Sequence, residues 1–202
     1  MPILDIIQPD NPILRKKAVK VTSFDKKFQE LVDNMIETML DAPGVGLAGP
    51  QVAENKRVIV VYLPDDEDED TDGSGKLYVV ANPKIIKTSK DTVSGVEGCL
   101  SLPGYAGEVD RYEMVVVTGQ DRDGKDFRIK ARGWLARIFQ HEIDHLDGRL
   151  FIDIATKIWP LPDGDEEGET ASARTHHSWD SEVMAAMAEA ERQLKQTEKG
   201  IS

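Results

Sequence analysis

The chain has a single cysteine, Cys99, so it forms no intrachain disulfide. Histidine is scarce: two of the four, His141 and His145, lie four positions apart, and the other two are His176 and His177. No apolar run reaches the length of a membrane span. Met1 to Lys20 lacks the basic start and apolar core of a signal peptide, so the cytoplasm is the expected location. Positive charge is in deficit, with 25 Lys and Arg against 37 Asp and Glu and a formal net charge of −12. That balance argues against nonspecific binding to nucleic-acid phosphates, and neither a nucleic-acid site nor a membrane contact is expected. Much of the negative charge sits in two local acidic runs, which favour solubility and say little about fold. Internal repeats are absent.

The rest is ordinary for a globular protein. At 202 residues and 40% hydrophobic content, one well-cored domain with extensions is expected. Composition divides the chain into a folded domain over 1–158 and an acidic linker with a helical tail over 159–202. From Asp25 to Leu40, the apolar residues Phe28, Leu31, Val32, Met35, Met39 and Leu40 recur at helical spacing. A Gly- and Pro-rich loop follows from Ala42 to Gln51. It lacks the Lys-Ser/Thr of a phosphate loop. Arg57 to Leu63 reads as a strand, and Lys76 to Lys87 as a second one interrupted at Asn82-Pro83. The run Asp65–Gly75 imitates the start of a calcium loop, but Val79 stands where the bidentate Glu is needed, so it reads as a solvated acidic loop. Met114–Gly119 and Asp126–Ala131 predict a hairpin, and Leu150–Ile154 a short apolar strand. Pro160 to Ser181 reads as a flexible linker holding solvated His176 and His177, and Glu182–Lys199 as a helix.

Gln140-His141-Glu142-Ile143-Asp144-His145 has the form H-E-x-x-H. On a helix opened by Gly133 and closed by Gly148, positions four apart share a face, so His141 and His145 can hold one metal ion with Glu142 beside it as general base. The bland alternative is a solvent-facing helix with two unrelated histidines. Trp134 and Ile138 continue the histidine stripe into an apolar one. Catalytic zinc-type sites take three protein ligands. No third His follows at zincin spacing, and the downstream Glu residues lie in linker-like or terminal sequence. Cys99 is the remaining candidate, since a thiolate is a strong soft ligand.

Three stretches resemble motifs of the peptide deformylase family, bacterial type. Gly44-Val45-Gly46-Leu47-Ala48-Gly49-Pro50-Gln51 is similar to G-x-G-L-A-A-x-Q, Glu97-Gly98-Cys99-Leu100-Ser101 to E-G-C-L-S, and Gln140–His145 to Q-H-E-x-D-H. The resemblance covers roughly residues 3 to 155. Gly49 departs from the family's second Ala and removes a methyl near the site. The Arg often found shortly after the Cys motif is missing from Gly104–Gly107. The resemblance implies removal of the formyl group from N-formyl-methionyl nascent peptides, with release of formate. It implies Cys99, His141 and His145 as ligands of one divalent metal, natively Fe(2+) and often replaced by Zn(2+) or Ni(2+). Glu142 would be the base, with the Gln51 amide and the Leu100 N–H stabilising the oxyanion. Gly44, Val45, Gly46, Trp134 and Ile138 are expected to contact substrate, Gly46 by letting a peptide backbone approach. Arg137, Gln140 and Asp144 are either supporting or merely structural. The ribosome near its exit is a further partner to consider. The expected fold is α+β, with mostly antiparallel sheets packed around the central H-E-x-x-H helix. A zincin-like peptidase and a catalytically silent peptide-end binder are the competing readings.

Overall fold

The computed structural model describes residues 2–42, 44–63 and 75–161. The acidic loop over 65–74 lies outside them, as do His176, His177 and the helix expected over Glu182–Lys199.

Helix α1 (Lys26–Asp41) begins at Asp25, whose carboxylate accepts the Phe28 N–H at 3.1 Å. This satisfies one of the free donors of the first turn. Phe28, Leu31, Val32, Met35 and Met39 form its buried face. Each such burial contributes roughly 1.5–3 kcal/mol. The strands in chain order are β1 (Gly46–Ala48), β2 (Val58–Leu63), β3 (Lys76–Thr88), β4 (Thr92–Gly98), β5 (Tyr105–Tyr112), β6 (Met114–Gln120), β7 (Asp126–Arg132) and β8 (Lys157–Pro160). They make a five-stranded sheet, β1-β2-β3-β6-β7, and a three-stranded sheet, β4-β5-β8. Every pairing between these strands is antiparallel.

Helix α2 (Gly133–Leu146) packs on the inner face of the larger sheet. Leu135, Ala136, Phe139, Ile143 and Leu146 meet Ile59, Val61, Val80, Val115, Val117 and Ala131 there. The other face of β2 and β3 is covered by α1, where Leu31 and Met35 join Val58, Val60 and Ala81 in one cluster. Helices on both sides explain why Val58 to Val61 is apolar without alternation. Gly148 closes α2 at φ 76°, with its N–H donating to the His145 carbonyl. Arg57 ties that end of the helix to the sheet: its guanidinium donates to the Leu146 carbonyl, the Asp147 carboxylate and the Pro83 carbonyl. The α+β architecture around a central H-E-x-x-H helix is as expected.

Three local readings need correction. Leu150–Ile154 is not a strand. Phe151–Asp153 is a 3₁₀ turn, closed by the Asp153 carboxylate accepting the Leu150 N–H at 2.8 Å. Strand β3 is not interrupted at Asn82-Pro83 but runs through it with register shifts. Asn82 sits at φ 54°, and its side-chain amide pairs with both the N–H and the carbonyl of Val21, giving the N-terminal segment a partner there. Gly49 does not empty space at the site. A Cβ there would meet the Lys56 carbonyl oxygen at 2.5 Å and the Glu54 carbonyl oxygen at 2.9 Å, so the glycine serves the tight turn after β1.

Candidate active site

Helix α2 carries His141, Glu142 and His145 toward the place where the two sheets approach each other. Cys99 follows the last residue of β4. The ligand atoms of Cys99, His141 and His145 all lie within 4.8 Å of one another, with Cys99 Sγ 3.3 Å from His145 Nε2. The pocket beside them is lined by Gly44, Val45, Gly46 and Gln51 on one side and by Glu97, Gly98, Cys99 and Leu100 on another. Trp134, Arg137, Ile138, His141 and Glu142 of α2 complete it. The structure thus brings every residue expected at the site to one pocket or its edge.

Glu142 is buried, and its Oε2 has no hydrogen-bond partner among the described residues. Burial pushes its carboxyl up to about 7. Gly46 makes room for it: a Cβ on Gly46 would stand 2.8 Å from Glu142 Cδ. The Gln51 Oε1 accepts the Ala48 N–H at 2.8 Å, which aims its Nε2 at Cys99 Sγ (3.6 Å) and Ser101 Oγ (3.3 Å).

Glu97 is the buried hub behind the histidines. Its carboxylate accepts two bonds from Arg111, at 2.8 and 2.9 Å, and one from Arg137 at 2.9 Å. Its Oε2 also lies 2.9 Å from His141 Nδ1. That contact fixes the ring and leaves Nε2 to act as a ligand. Burial opposes the Glu97 charge, but Arg111 and His141 outweigh it and hold the carboxyl well below the usual range. Burial likewise opposes a proton on His141, yet Cys99 and Glu97 together raise its pKa. Burial and the positive charge of His141 and Arg111 lower that of His145. The two rings are thus pushed in opposite directions, His141 toward the charged form and His145 toward the neutral one. A thiolate with two imidazoles suits a transition metal rather than magnesium or calcium.

Nothing in the sequence marks Arg111 for this role, and Glu97 stands out there only as part of the E-G-C-L-S-like motif. A buried Arg on an otherwise small and polar strand leaves no hydrophobic signal. Asp144 accepts from the other side of Arg111, with Oδ2 at 2.5 Å from Nη1. Arg137 also donates to the carbonyls of Val93 and Val109. Gln140 exchanges two hydrogen bonds with the Tyr112 backbone, pinning α2 to the end of β5.

The chain is 51% identical over 171 residues to the peptide deformylase of Symbiobacterium thermophilum, covering 85% of this chain and 75% of that one. It is 51% identical over 159 residues to that of Halothermothrix orenii, covering 78% and 97%. The crystal structure of the Ehrlichia chaffeensis peptide deformylase in complex with actinonin superposes with a TM-score of 0.73 at 40% identity, over 78% of this chain and 91% of that one. A Met-Ala-Ser-bound class I type b peptide deformylase from Acinetobacter baumannii gives 0.71 at 36%, over 76% and 98%. The polypeptide deformylase family profile matches residues 3–159. The chain belongs to the polypeptide deformylase family.

Proposed function

We infer that this pocket performs deformylation through the chain's own Glu142, Gln51 and Leu100, beside a metal held by Cys99, His141 and His145. The protein is a hydrolase that removes the N-terminal formyl group of newly made polypeptides as formate. The observation that carries the residue assignment is the unpartnered Oε2 of buried Glu142 beside the Cys99–His141–His145 cluster.

When bound, the metal supplies a Lewis acid and brings the pKa of a coordinated water toward neutrality. Glu142 takes a proton from the attacking water at Oε2 and delivers it to the departing amine nitrogen. A carboxyl near neutrality is suited to both transfers. The developing formyl oxyanion is met by the Gln51 Nε2–H and the Leu100 N–H, which makes no hydrogen bond among the described residues. Losing one such donor typically costs about 100- to 1,000-fold in rate. β1 and β4 are each the edge strand of their sheet, and the chain at both borders the pocket. An extended peptide can hydrogen-bond between two such edges. Val45, Trp134 and Ile138 offer apolar surface to the methionine side chain, whose unbranched thioether adapts to such a slot.

The native ion is proposed to be Fe(2+), with Zn(2+) and Ni(2+) as functional substitutes, since the donor set accepts all three. The proposed setting is the cytoplasm, with the ribosome exit as the place of encounter. No helix among the described residues is long and apolar enough to cross a membrane. The test is formate release from a formyl-Met peptide by protein purified without oxygen, with metal analysis of the same sample. Glu142→Gln should abolish turnover while metal content is kept. Cys99→Ala should lose metal, and retention of full metal content by that variant would refute the ligand assignment.

A further inference from the structure

The larger sheet has a face that α1 covers only in part. Across β3, β6 and β7 the inner face belongs to the core, through Ile85, Val115, Val117, Ile129 and Ala131. The outer face of these strands carries Lys84 opposite Thr118, which is opposite Arg128, and Lys87 opposite Val116, which is opposite Lys130. Arg132 continues the row opposite Met114. All these cations are exposed, and none makes an ion pair among the described residues.

Lys84 and Lys87 are an odd number of residues apart, which on a regular strand places them on opposite faces. The register shift between Ile85 and Lys87 leaves Ile86 as an extra residue, and this brings Lys87 onto the face of Lys84. On β7, Arg128, Lys130 and Arg132 alternate with core residues about 7 Å apart. Val116, on this same face, is only 6% exposed, as expected where long basic side chains lay their stems over it. A chain of formal charge −12 has thus gathered unpaired cations on one face, against their mutual repulsion.

We propose that the outer face of β3, β6 and β7 binds the phosphate backbone of RNA through Lys84, Lys87, Arg128, Lys130 and Arg132. Charge complementarity selects a polyanion. RNA is favoured over other polyanions because the substrate is a nascent chain, delivered by an RNA machine; to that extent the choice rests on the deformylase reading. The binding is electrostatic and blind to sequence. The face lies on the side of the sheet opposite α2, so an RNA held there leaves the catalytic helix free.

The probe is a fluorescent single-stranded oligouridylate titrated with the full chain. Neutralising up to about five phosphates on a single strand gives a slope near −3.5 in log K against log salt, or about 100-fold weaker binding at about 200 mM than at about 50 mM salt. The variant Lys84→Gln/Lys87→Gln/Arg128→Gln/Lys130→Gln should bind at least tenfold more weakly, with a slope flatter than about −1. It should also deformylate a free formyl-Met peptide at the wild-type rate. Absence of oligouridylate binding at low salt overturns the proposal, as does binding that the variant leaves intact. Binding to vesicles of anionic lipid without binding to RNA overturns it too. Loss of peptide deformylation by the wild type would instead strike the catalytic reading.

Discussion

Replacing Glu97 with Gln keeps the shape of the hub and removes its charge. Four donor contacts converge on this carboxylate: two from Arg111, one from Arg137 and one from His141. A glutamine can accept with one oxygen only and turns an NH₂ toward groups that are themselves donors. Arg111 still has Asp144, but Arg137 is left with carbonyl partners alone. Breaking a buried ion pair from one side costs about 3–5 kcal/mol, a large part of the 5–15 kcal/mol that holds a typical domain together. Urea unfolding of the metal-free protein at pH 7 should show that loss. Adding Arg137→Met, which removes the stranded cation, should recover part of it. Zinc affinity, measured by competition with a chelator, should fall about 10- to 100-fold as His141 loses its orienting partner. The pH dependence has a definite sign. Glu97 is held below its unfolded pKa, so its contribution is complete above that value and is lost as pH falls below about 4. The gap between wild type and variant should therefore narrow in acid. A variant within about 1 kcal/mol of wild type at pH 7, with unchanged zinc affinity, would refute the hub argument.

Gly46→Ala should push its new methyl into the Glu142 carboxyl, whose Cδ would stand 2.8 Å away. Circular dichroism should report an unchanged fold, while kcat falls about 100-fold or more through displacement of the base; full activity would show that Glu142 is not confined there. Glu142 must be ionised to accept a proton, so kcat/KM should decline as pH falls, with a one-proton limb at or below about 7, the value to which burial, partly offset by the nearby His141 and Arg111 charges, raises it. A rate flat from pH 8 to pH 5 would remove Glu142 from the base role.

The parts of the fold that announce themselves are those with apolar periodicity. Phe28, Leu31, Val32, Met35 and Met39 mark α1, and the all-apolar Val58–Val61 marks a strand buried on both faces. Strand β5 does not announce itself. Its buried positions are Ala106, Gly107, Val109 and Arg111, and the last of these serves the charge network instead of the hydrophobic core. The same network explains why Cys99 and the two histidines are legible from their types, while Arg137 is readable only as supporting or structural, Glu97 only as part of a motif, and Arg111 not at all. Glu97, Arg111 and Arg137 are charged residues whose burial depends on one another, and no single position reveals this. The cationic face was hidden differently. Net charge averages it with acidic residues elsewhere, and the bulge at Ile86 is set by pairing with β6 rather than by any local residue pattern.

The pocket between two sheet edges also sets a clock. In the proposed binding mode, a substrate paired between β1 and β4 enters as an extended strand. The first residues of a client must be free of any helix or hairpin of their own when they enter. Deformylation therefore competes with folding of the client's N-terminus. A protein whose first segment becomes structured early has a shorter window for losing its formyl group than one whose N-terminus stays loose.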